Sequence, residues 1–297
     1  MHYELSINRK VLWHGVAAVT ASIWGTTFIS TKVLLLNGLT PEGIFLLRFA
    51  LAYMLIIVVC RSPLRAGTLA DEGWMALAGL TGGSLYFITE NTAIGLTMTS
   101  NVSLIICTAP LLTSLLARGI FGTRWGRWMP LGAIVALGGV AAVVFNGSVT
   151  LQLNPLGDFL TLAAALMWAF YSIILMKLSG HYTTLFITRK VFFYGLVSMG
   201  VYALFASPGI TLEVLSRPVV IGNLLFLGIV ASMACFLSWN AAVARLGATV
   251  ANNYVYLTPP VTMLTSWLVL DEPVTAIGLI GAAAVLLGVY LSTVQSS

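Results

Sequence analysis

The stretch GDFLTLAAALMWAFYSIILMKLS, residues 157–179, carries one charge near each end, Asp158 and Lys177, and mainly apolar residues between them. A helix needs about 20 mainly apolar residues to cross a bilayer, so this stretch is long enough to span one. Nine other stretches share its character, and none shows the polar–apolar alternation of a membrane β-barrel. The sequence therefore predicts an all-α integral membrane protein with ten transmembrane helices. The predicted spans are residues 11–34, 42–60, 73–92, 98–117, 128–146, 157–179, 184–206, 219–242, 247–270 and 275–294.

Composition gives the same result for the whole chain. Of its 297 residues 59% are apolar and 8% are charged, whereas a soluble domain carries about 25% charged residues. The net charge of +5 comes from basic residues scattered between apolar blocks, a pattern typical of membrane loops rather than of a nucleic-acid surface. Cys60, Cys107 and Cys235 form no CxxC or Cys/His cluster, so neither a disulfide nor a metal site is expected.

The basic residues also predict an orientation. Eleven basic residues fall at span ends on the same side of the membrane as the N-terminus, and three fall at span ends on the other side. Cytoplasmic loops are rich in Lys and Arg, so both termini are expected in the cytoplasm and the 147–155 loop outside. The first group is Arg9, Lys10, Arg61, Arg65, Arg118, Arg124, Arg127, Lys177, Arg189, Lys190 and Arg245, and the second is Lys32, Arg48 and Arg217.

The two halves of the chain repeat each other. Thr108-Ala109-Pro110 in span four matches Thr258-Pro259-Pro260 in span nine, 150 residues later, and Trp24 in span one matches Trp168 in span six. Each half holds five spans, and because five is odd, the second half must enter the membrane from the other side. We expect two inverted five-helix repeats, residues 1–147 and 148–297, with a solute site near mid-membrane between them, as in secondary transporters.

Three segments carry a family resemblance: Ile23-Trp24-Gly25-Thr26-Thr27-Phe28, the proline-containing spans four and nine, and Leu270-Asp271-Glu272-Pro273. With these the chain resembles the drug/metabolite transporter (DMT) superfamily, specifically its ten-helix EamA-type members, and most of all the YddG-type aromatic amino acid exporters. One departure is Phe121-Gly122-Thr123, where many members carry a Glu that matches Glu272. The resemblance implies a secondary transporter in the bacterial inner membrane, working by alternating access.

Helix faces read at i, i+3 and i+4 spacing bring aromatic and amide side chains toward a central cavity. Aromatic rings can hold a flat solute, and an amide left in lipid without a partner costs several kcal/mol. Glu90, a carboxylate inside span three, is a functional candidate. It lies near the outer end of that span, however, and could be a hydrated cap, and the aromatic residues could be ordinary packing. The predicted cavity residues are Trp24, Phe28, Tyr86, Glu90, Asn91, Asn101, Trp168, Tyr171, Trp239, Asn240, Asn252, Asn253 and Tyr256.

Prolines within a helix remove hydrogen bonds and kink it. Pro110, Pro259 and Pro260 are therefore candidate hinge or gating residues, with a static kink as the alternative. Gly79 and Gly83, four residues apart, are expected to permit close helix packing.

The primary hypothesis is a secondary transporter that exports small organic metabolites, chiefly aromatic and other apolar amino acids. A multidrug exporter of organic cations is the runner-up, because aromatic rings also attract cations. A membrane enzyme is the alternative from another class, but it would need a nucleophile–base pair, a metal cluster or a cofactor motif. The expected partners are a small-molecule substrate and the lipid bilayer, with no nucleic acid and no cofactor, and the chain is expected to be a monomer.

Overall fold

The structure is a computed structural model that describes residues 2–97, 99–145, 154–206, 208–270 and 275–293. Residues 147–153 of the predicted outer loop at 147–155, as well as Asp271 and Glu272, lie outside these residues. Every regular element in the described part of the chain is helical, which confirms the all-α fold class. Five helices are long and apolar enough to cross a membrane by themselves: Val11–Leu36, Pro41–Val59, Pro155–Leu178, Thr184–Ala203 and Pro218–Leu246.

The helices of the first half are α1 (His2–Leu36), α2 (Pro41–Val59), α3 (Leu69–Gly79), α4 (Tyr86–Leu96), α5 (Thr99–Ile106), α6 (Ala109–Phe121) and α7 (Met129–Phe145). Those of the second half are α8 (Pro155–Leu178), α9 (Thr184–Ala203), α10 (Leu212–Leu215), α11 (Pro218–Leu225), α12 (Cys235–Leu246), α13 (Ala248–Asn253), α14 (Thr258–Leu270) and α15 (Ala276–Thr293). A π-helical segment, Leu80–Leu85, joins α3 to α4, and a second, Phe226–Ala234, joins α11 to α12. A 3₁₀ turn, Tyr254–Leu257, joins α13 to α14. With these joined pieces counted together, the described helices follow the ten predicted spans.

Local sequence signals explain where several spans begin. The side chains of Thr40, Asn154 and Thr183 cap α2, α8 and α9 by accepting a backbone N–H from the first turn. Such caps satisfy donors that have no partner within the helix. At the other end of α6, Gly122 adopts a φ of +64°, a left-handed conformation that suits glycine and ends the helix.

Helices of one half pack mainly against helices of the other. In the first half, α4 lies on α8, and α2 lies on the second π segment; correspondingly, α12 lies on α1, and α9 lies on the first π segment. Each contact of the first pair therefore has its counterpart in the second pair, with the roles of the two halves exchanged. The predicted close approach at Gly79 is present, since a Cβ there would lie 2.5 Å from Cβ of Tyr194 in α9.

The irregular backbone occurs at matched positions of the two halves. The π segments fall in spans three and eight, and spans four and nine are broken at Cys107–Thr108 and at Tyr254–Leu257. Pi-helical segments are rare and are often found at functional sites. Sequence reasoning predicted the repeat but not the π segments. They contain no proline, and their glycines, Gly82, Gly83 and Gly228, are residues that continuous transmembrane helices also contain.

The prolines differ from the expectation in one respect. We expected Pro110, Pro259 and Pro260 to kink continuous helices, but they lie in the first turns of α6 and α14, directly after the breaks. A proline at the start of a helix removes no intrahelical hydrogen bond, because the first N–H groups have no partner there. The prolines therefore favour the restart of the helix, and their hinge role stays a prediction.

Candidate functional site

A cavity lies between the two halves, and helices of both form its wall. We refer to it as the central cavity. Its volume is about 40 Å³, whereas pockets that hold organic ligands measure about 300–1,000 Å³. In this conformation the cavity is therefore too small for an organic solute. The lining residues are Trp24, Thr27, Phe28, Arg48, Tyr86, Phe87, Glu90 and Ile106 from the first half and Trp168, Phe236, Val255 and Thr258 from the second.

Aromatic rings from the two halves meet at this cavity. The rings of Trp24 and Trp168 are perpendicular, with centroids 5.2 Å apart, and Tyr86 lies 5.1 Å from Trp168. Trp239 packs behind them, 5.0 Å from Trp24, and does not line the cavity. The two tryptophans that the repeat matched are thus direct neighbours.

Hydrogen bonds fix both indoles. Trp24 Nε1 donates to the carbonyl of Ala231 (3.0 Å), which lies in the second π segment. Trp168 Nε1 donates to Oδ1 of Asn252 (3.0 Å), whose amide nitrogen donates in turn to Ser172 Oγ (3.0 Å). Asn252 was predicted to line the cavity; instead it orients the tryptophan that does.

Two opposite charges are buried at the cavity, and we refer to Arg48 and Glu90 as the central pair. Glu90 Oε1 accepts a hydrogen bond from the hydroxyl of Tyr86 (2.5 Å). Arg48 Nε donates to Ser232 Oγ (2.9 Å), and its guanidinium carbon lies 4.7 Å from the centroid of the Phe87 ring. Only 2% of Arg48 and 7% of Glu90 is exposed. Among the described residues no ion pair within 4.0 Å joins these two side chains.

Sequence reasoning missed Arg48 as a site residue, because it was counted among the charges at the outer span ends. Its signal was its position inside the predicted span 42–60, where an ionisable side chain is a functional candidate by default. Glu90 was expected near a span end, but α4 continues to Leu96. The greater depth of Glu90 in the helix argues against the hydrated-cap alternative.

Other predicted residues connect helices instead of lining the cavity. Tyr171 donates its hydroxyl hydrogen to Asn240 Oδ1 (2.5 Å), and the amide nitrogen of Asn240 donates to Thr188 Oγ1 (2.8 Å). This chain ties α8, α12 and α9 together. The amide nitrogen of Asn91 donates to the Pro41 carbonyl (3.2 Å).

The remaining predicted residues also lie away from the cavity. The amide nitrogen of Asn253 donates to the carbonyl of Ser292 (3.4 Å). Tyr256 and Trp239 are fully buried, and neither the hydroxyl nor the indole N–H has a hydrogen-bond partner among the described residues. The side chain of Asn101 is outside the described residues. The structure thus brings five predicted residues to the cavity: Trp24, Phe28, Tyr86, Glu90 and Trp168.

A second charged group lies where α2 ends and α3 and α9 begin. Glu72 forms an ion pair with Lys190, accepts a hydrogen bond from the hydroxyl of Tyr194, and accepts another from the backbone N–H of Ala66 (2.7 Å). Beside it, Arg189 donates to the carbonyls of Cys60, Ser62 and Pro63. We refer to Glu72, Lys190, Tyr194 and Arg189 as the end cluster.

A larger groove, of about 630 Å³, lies on the outer surface between α3 and α9. It is lined by apolar side chains such as Trp74, Leu77 and Val197, and no charged residue lines it. In a membrane the acyl chains of lipids face such a surface. The central cavity, which combines rings with buried charges, is the candidate site.

The EamA-like transporter family model matches this chain twice, at residues 11–145 and 155–294. The chain is 28% identical over 285 residues to the "Probable terminal-alkyne amino-acid exporter" of Streptantibioticus cattleyicolor, covering 95% of this chain and 93% of that protein. It is 26% identical to the "Probable amino-acid metabolite efflux pump" of Escherichia coli, covering 93% of each, and 30% identical to the "Uncharacterized transporter YyaM" of Bacillus subtilis, covering 91% and 89%.

A solved crystal structure has the same fold, with a TM-score of 0.72 at 17% identity over 97% of this chain and 98% of the other. The two family matches together span most of the sequence, and the relatives match it over nearly their whole length. The chain belongs to the EamA-like transporter family, and it is a multi-pass membrane transporter of small molecules, not an enzyme.

Proposed function

We propose that this transporter exports aromatic and other apolar amino acids by alternating access through the central cavity. One observation carries the proposal: aromatic rings from both halves converge on a cavity that also holds a buried cation and a buried carboxylate. An aromatic amino acid has the complementary features, a flat apolar ring and two opposite charges. The names of two relatives, an amino-acid exporter and an amino-acid metabolite efflux pump, support the substrate class.

Contacts on α1 support alternating access. On one side of Trp24, the ring of His14 shares a hydrogen bond with the hydroxyl of Tyr254 (2.7 Å). On the other side, Lys32 Nζ donates to the carbonyl of Ile94 (2.9 Å). These contacts hold α1 against the 3₁₀ turn at one end and against α4 at the other. The first contact joins the two halves, so opening the cavity at that end breaks it, whereas the second joins two helices of the first half and is kept.

We propose that the two halves, residues 1–147 and 148–297, are the inverted repeats that move against each other. The backbone breaks ahead of Pro110 and Pro259–Pro260 are the proposed hinges, because irregular backbone can absorb a change in helix direction at less cost than a continuous helix.

We propose a bacterial inner membrane location with both termini in the cytoplasm. Two single-cysteine variants test the orientation, Leu64→Cys in the loop after α2 and Ser216→Cys in the loop before α11, since both positions are exposed. A membrane-impermeant thiol reagent added to intact cells is expected to label residue 216 and to spare residue 64. Labelling of residue 64 alone would show that the orientation is the opposite of the one proposed.

A second candidate, export of organic cations, is favoured by one observation, the buried carboxylate of Glu90 among aromatic rings. Rings and an anion together attract cations. Arg48 in the same wall opposes it, because a cationic solute would meet a buried positive charge.

Uptake into proteoliposomes tests the function. We expect accumulation of phenylalanine, tryptophan and leucine, and little uptake of quaternary ammonium compounds. Uptake of the cations with none of the amino acids would replace the primary proposal by the second candidate.

The same vesicles test coupling. Because Glu90 is the carboxylate at the cavity and it is engaged by Tyr86, we expect exchange or facilitated diffusion rather than obligatory proton coupling. Uphill accumulation driven by a pH gradient alone, and abolished by Glu90→Gln, would show that expectation to be wrong.

A further inference from the structure

We propose that Arg48 and Glu90 form a head-group subsite, in which Arg48 binds the carboxylate of the solute and Glu90 binds its ammonium group. The inference rests on the proposed function, and it assigns a separate partner to each charge of an α-amino acid. The side chain of the solute then lies against Trp24 and Trp168.

Arg48 has hydrogen-bonding capacity that the described residues leave unused. A guanidinium carries five N–H donors in a planar fork that matches a carboxylate. In the described part of the chain, the hydrogen bond that Arg48 makes is from Nε to Ser232 Oγ. The guanidinium also lies over the Phe87 ring, with its carbon 4.7 Å from the ring centroid. The donors at the tip of the side chain are thus available to a ligand in the cavity.

Glu90 shows the same incomplete pattern. Its Oε1 accepts from Tyr86, while Oε2 has no hydrogen-bond partner among the described residues. An ammonium group has three donors and no acceptor, so it can bind this second oxygen without competing with Tyr86. Tyr86 acts here as a positioning residue that holds the carboxylate at the cavity wall.

The separation of the two charges points to a ligand between them. A buried charge without a partner is costly, and opposite charges attract strongly in a low dielectric. The end cluster shows that this protein pairs such groups directly, because Glu72 and Lys190 form an ion pair. At the cavity the equivalent pairing is absent within 4.0 Å among the described side chains, although both groups line the same small space.

The subsite predicts selectivity for zwitterions. A solute with only an ammonium group satisfies Glu90 but places a positive charge near Arg48, and a solute with only a carboxylate does the reverse. Phenylalanine, phenethylamine and 3-phenylpropionate share a ring and differ in these two charges, so they separate the contributions of the two residues.

The experiment measures binding of the three compounds to the full chain in proteoliposomes by the change in protein tryptophan fluorescence. The wild-type chain is expected to bind phenylalanine at least about tenfold more tightly than either analogue, since hydrogen bonds to charged groups are the strong ones. Arg48→Gln should weaken binding of phenylalanine and 3-phenylpropionate about tenfold, and it should bind phenethylamine no more weakly than the wild type, because the repulsion by Arg48 is removed. Glu90→Gln should weaken binding of phenylalanine and phenethylamine, and it should bind 3-phenylpropionate no more weakly than the wild type.

Arg245→Gln is the matched control. Arg245 is an exposed arginine that lies over Trp13, away from the cavity, and its loss should leave all three affinities unchanged. If Arg48→Gln does not fold, Arg48→Lys replaces it. This variant keeps the charge and should bind phenylalanine more weakly while still preferring it to phenethylamine.

The outcomes separate this inference from the function on which it rests. Binding of phenylalanine with equal weakening of all three compounds by Arg48→Gln would mean that Arg48 only supports the fold. Equal wild-type affinity for phenylalanine and phenethylamine would overturn the subsite and leave amino-acid export intact. Binding of none of the three compounds would overturn both.

Discussion

The end cluster and the central pair both combine opposite charges that are buried or half-buried, yet these charges have different numbers of partners. In the end cluster, Glu72 has three partners, including the ion pair with Lys190. In the central pair, Glu90 and Arg48 each make one hydrogen bond to a described residue and do not pair with each other. Since unpaired buried charges destabilise a protein, the first group has the features of a structural joint and the second those of a binding site.

Position in the fold agrees with this distinction. The end cluster joins the loop after α2 to the starts of α3 and α9, where Arg189 also holds the carbonyls of that loop. The central pair faces a cavity between the halves. The comparison therefore predicts that substitutions in the end cluster reduce stability and leave affinity for the solute intact. Substitutions at the cavity should reduce affinity and have less effect on stability.

The largest expected effect is on stability, from Lys190→Met. The change leaves the Glu72 carboxylate without its ion-pair partner, and removing one member of a buried pair costs about 3–5 kcal/mol. Because the side chain of Glu72 is 21% exposed, we expect a smaller loss, about 2–3 kcal/mol. Thermal unfolding of the purified protein in detergent measures it, and affinity for phenylalanine below the transition should match the wild type.

The chain supplies a control for this prediction. Arg217 and Glu213 form an ion pair whose side chains are 43% and 83% exposed, and such pairs contribute about 0–1 kcal/mol. Arg217→Met should therefore hardly change the unfolding temperature. The double variant Glu72→Gln/Lys190→Met should recover part of the lost stability. Equal unfolding temperatures for Lys190→Met and Arg217→Met would contradict the prediction that the end cluster stabilises the fold.

The next effect is on transport, from Trp168→Ala. Loss of a stacked aromatic side chain costs about 0.5–1.5 kcal/mol beyond its area term, so binding of aromatic solutes should weaken at least about tenfold. Trp128, which is 38% exposed at the start of α7, is the matched tryptophan outside the cavity, and Trp128→Ala should retain transport. Uptake is compared at equal abundance of the variants in the membrane. If Trp168→Ala transports as well as the wild type, the role of Trp168 is ordinary helix packing.

The sequence predicted the helices and the repeat. The helices follow from the hydropathy of the chain, and the repeat follows from the spacing of Trp24 and Trp168 and of Thr108 and Thr258. It predicted the cavity less well. Whether an amide lines a cavity or joins two helices depends on partners far along the chain: Asn240 meets Tyr171 and Thr188, and no local pattern specifies those contacts. Arg48 was missed because the orientation was predicted by counting basic residues on each side of the membrane. This count does not distinguish a residue inside a span from one in a loop.

A smaller effect on affinity is expected from Tyr86→Phe. The ring stays in contact with Trp168, but Glu90 loses the hydrogen bond that positions its carboxylate. A hydrogen bond contributes about 0.5–1.5 kcal/mol, so affinity for phenylalanine should fall about three- to tenfold, less than for Trp168→Ala. If 3-phenylpropionate weakens as much as phenylalanine, Tyr86 contributes to the ring site and not to the position of Glu90.

The smallest effect concerns Asp71, which lies beside the end cluster but near the surface. The hydroxyls of Tyr182 and Thr68 donate to its carboxylate (2.8 Å each), and these hydrogen bonds lower the pKa of Asp71. A carboxylate whose pKa is lower in the folded state stabilises the protein above the unfolded pKa, and this contribution is lost as the pH falls through the folded pKa. The Asp71→Asn variant should therefore unfold at a slightly lower temperature than the wild type at pH 7, and the difference should shrink as the pH falls below about 4, the ordinary pKa of an Asp side chain. Thermal unfolding across this pH range measures the effect. A difference at pH 7 as large as that of Lys190→Met would place Asp71 within the end cluster, and a difference that grows on acidification would contradict the sign of the pKa shift.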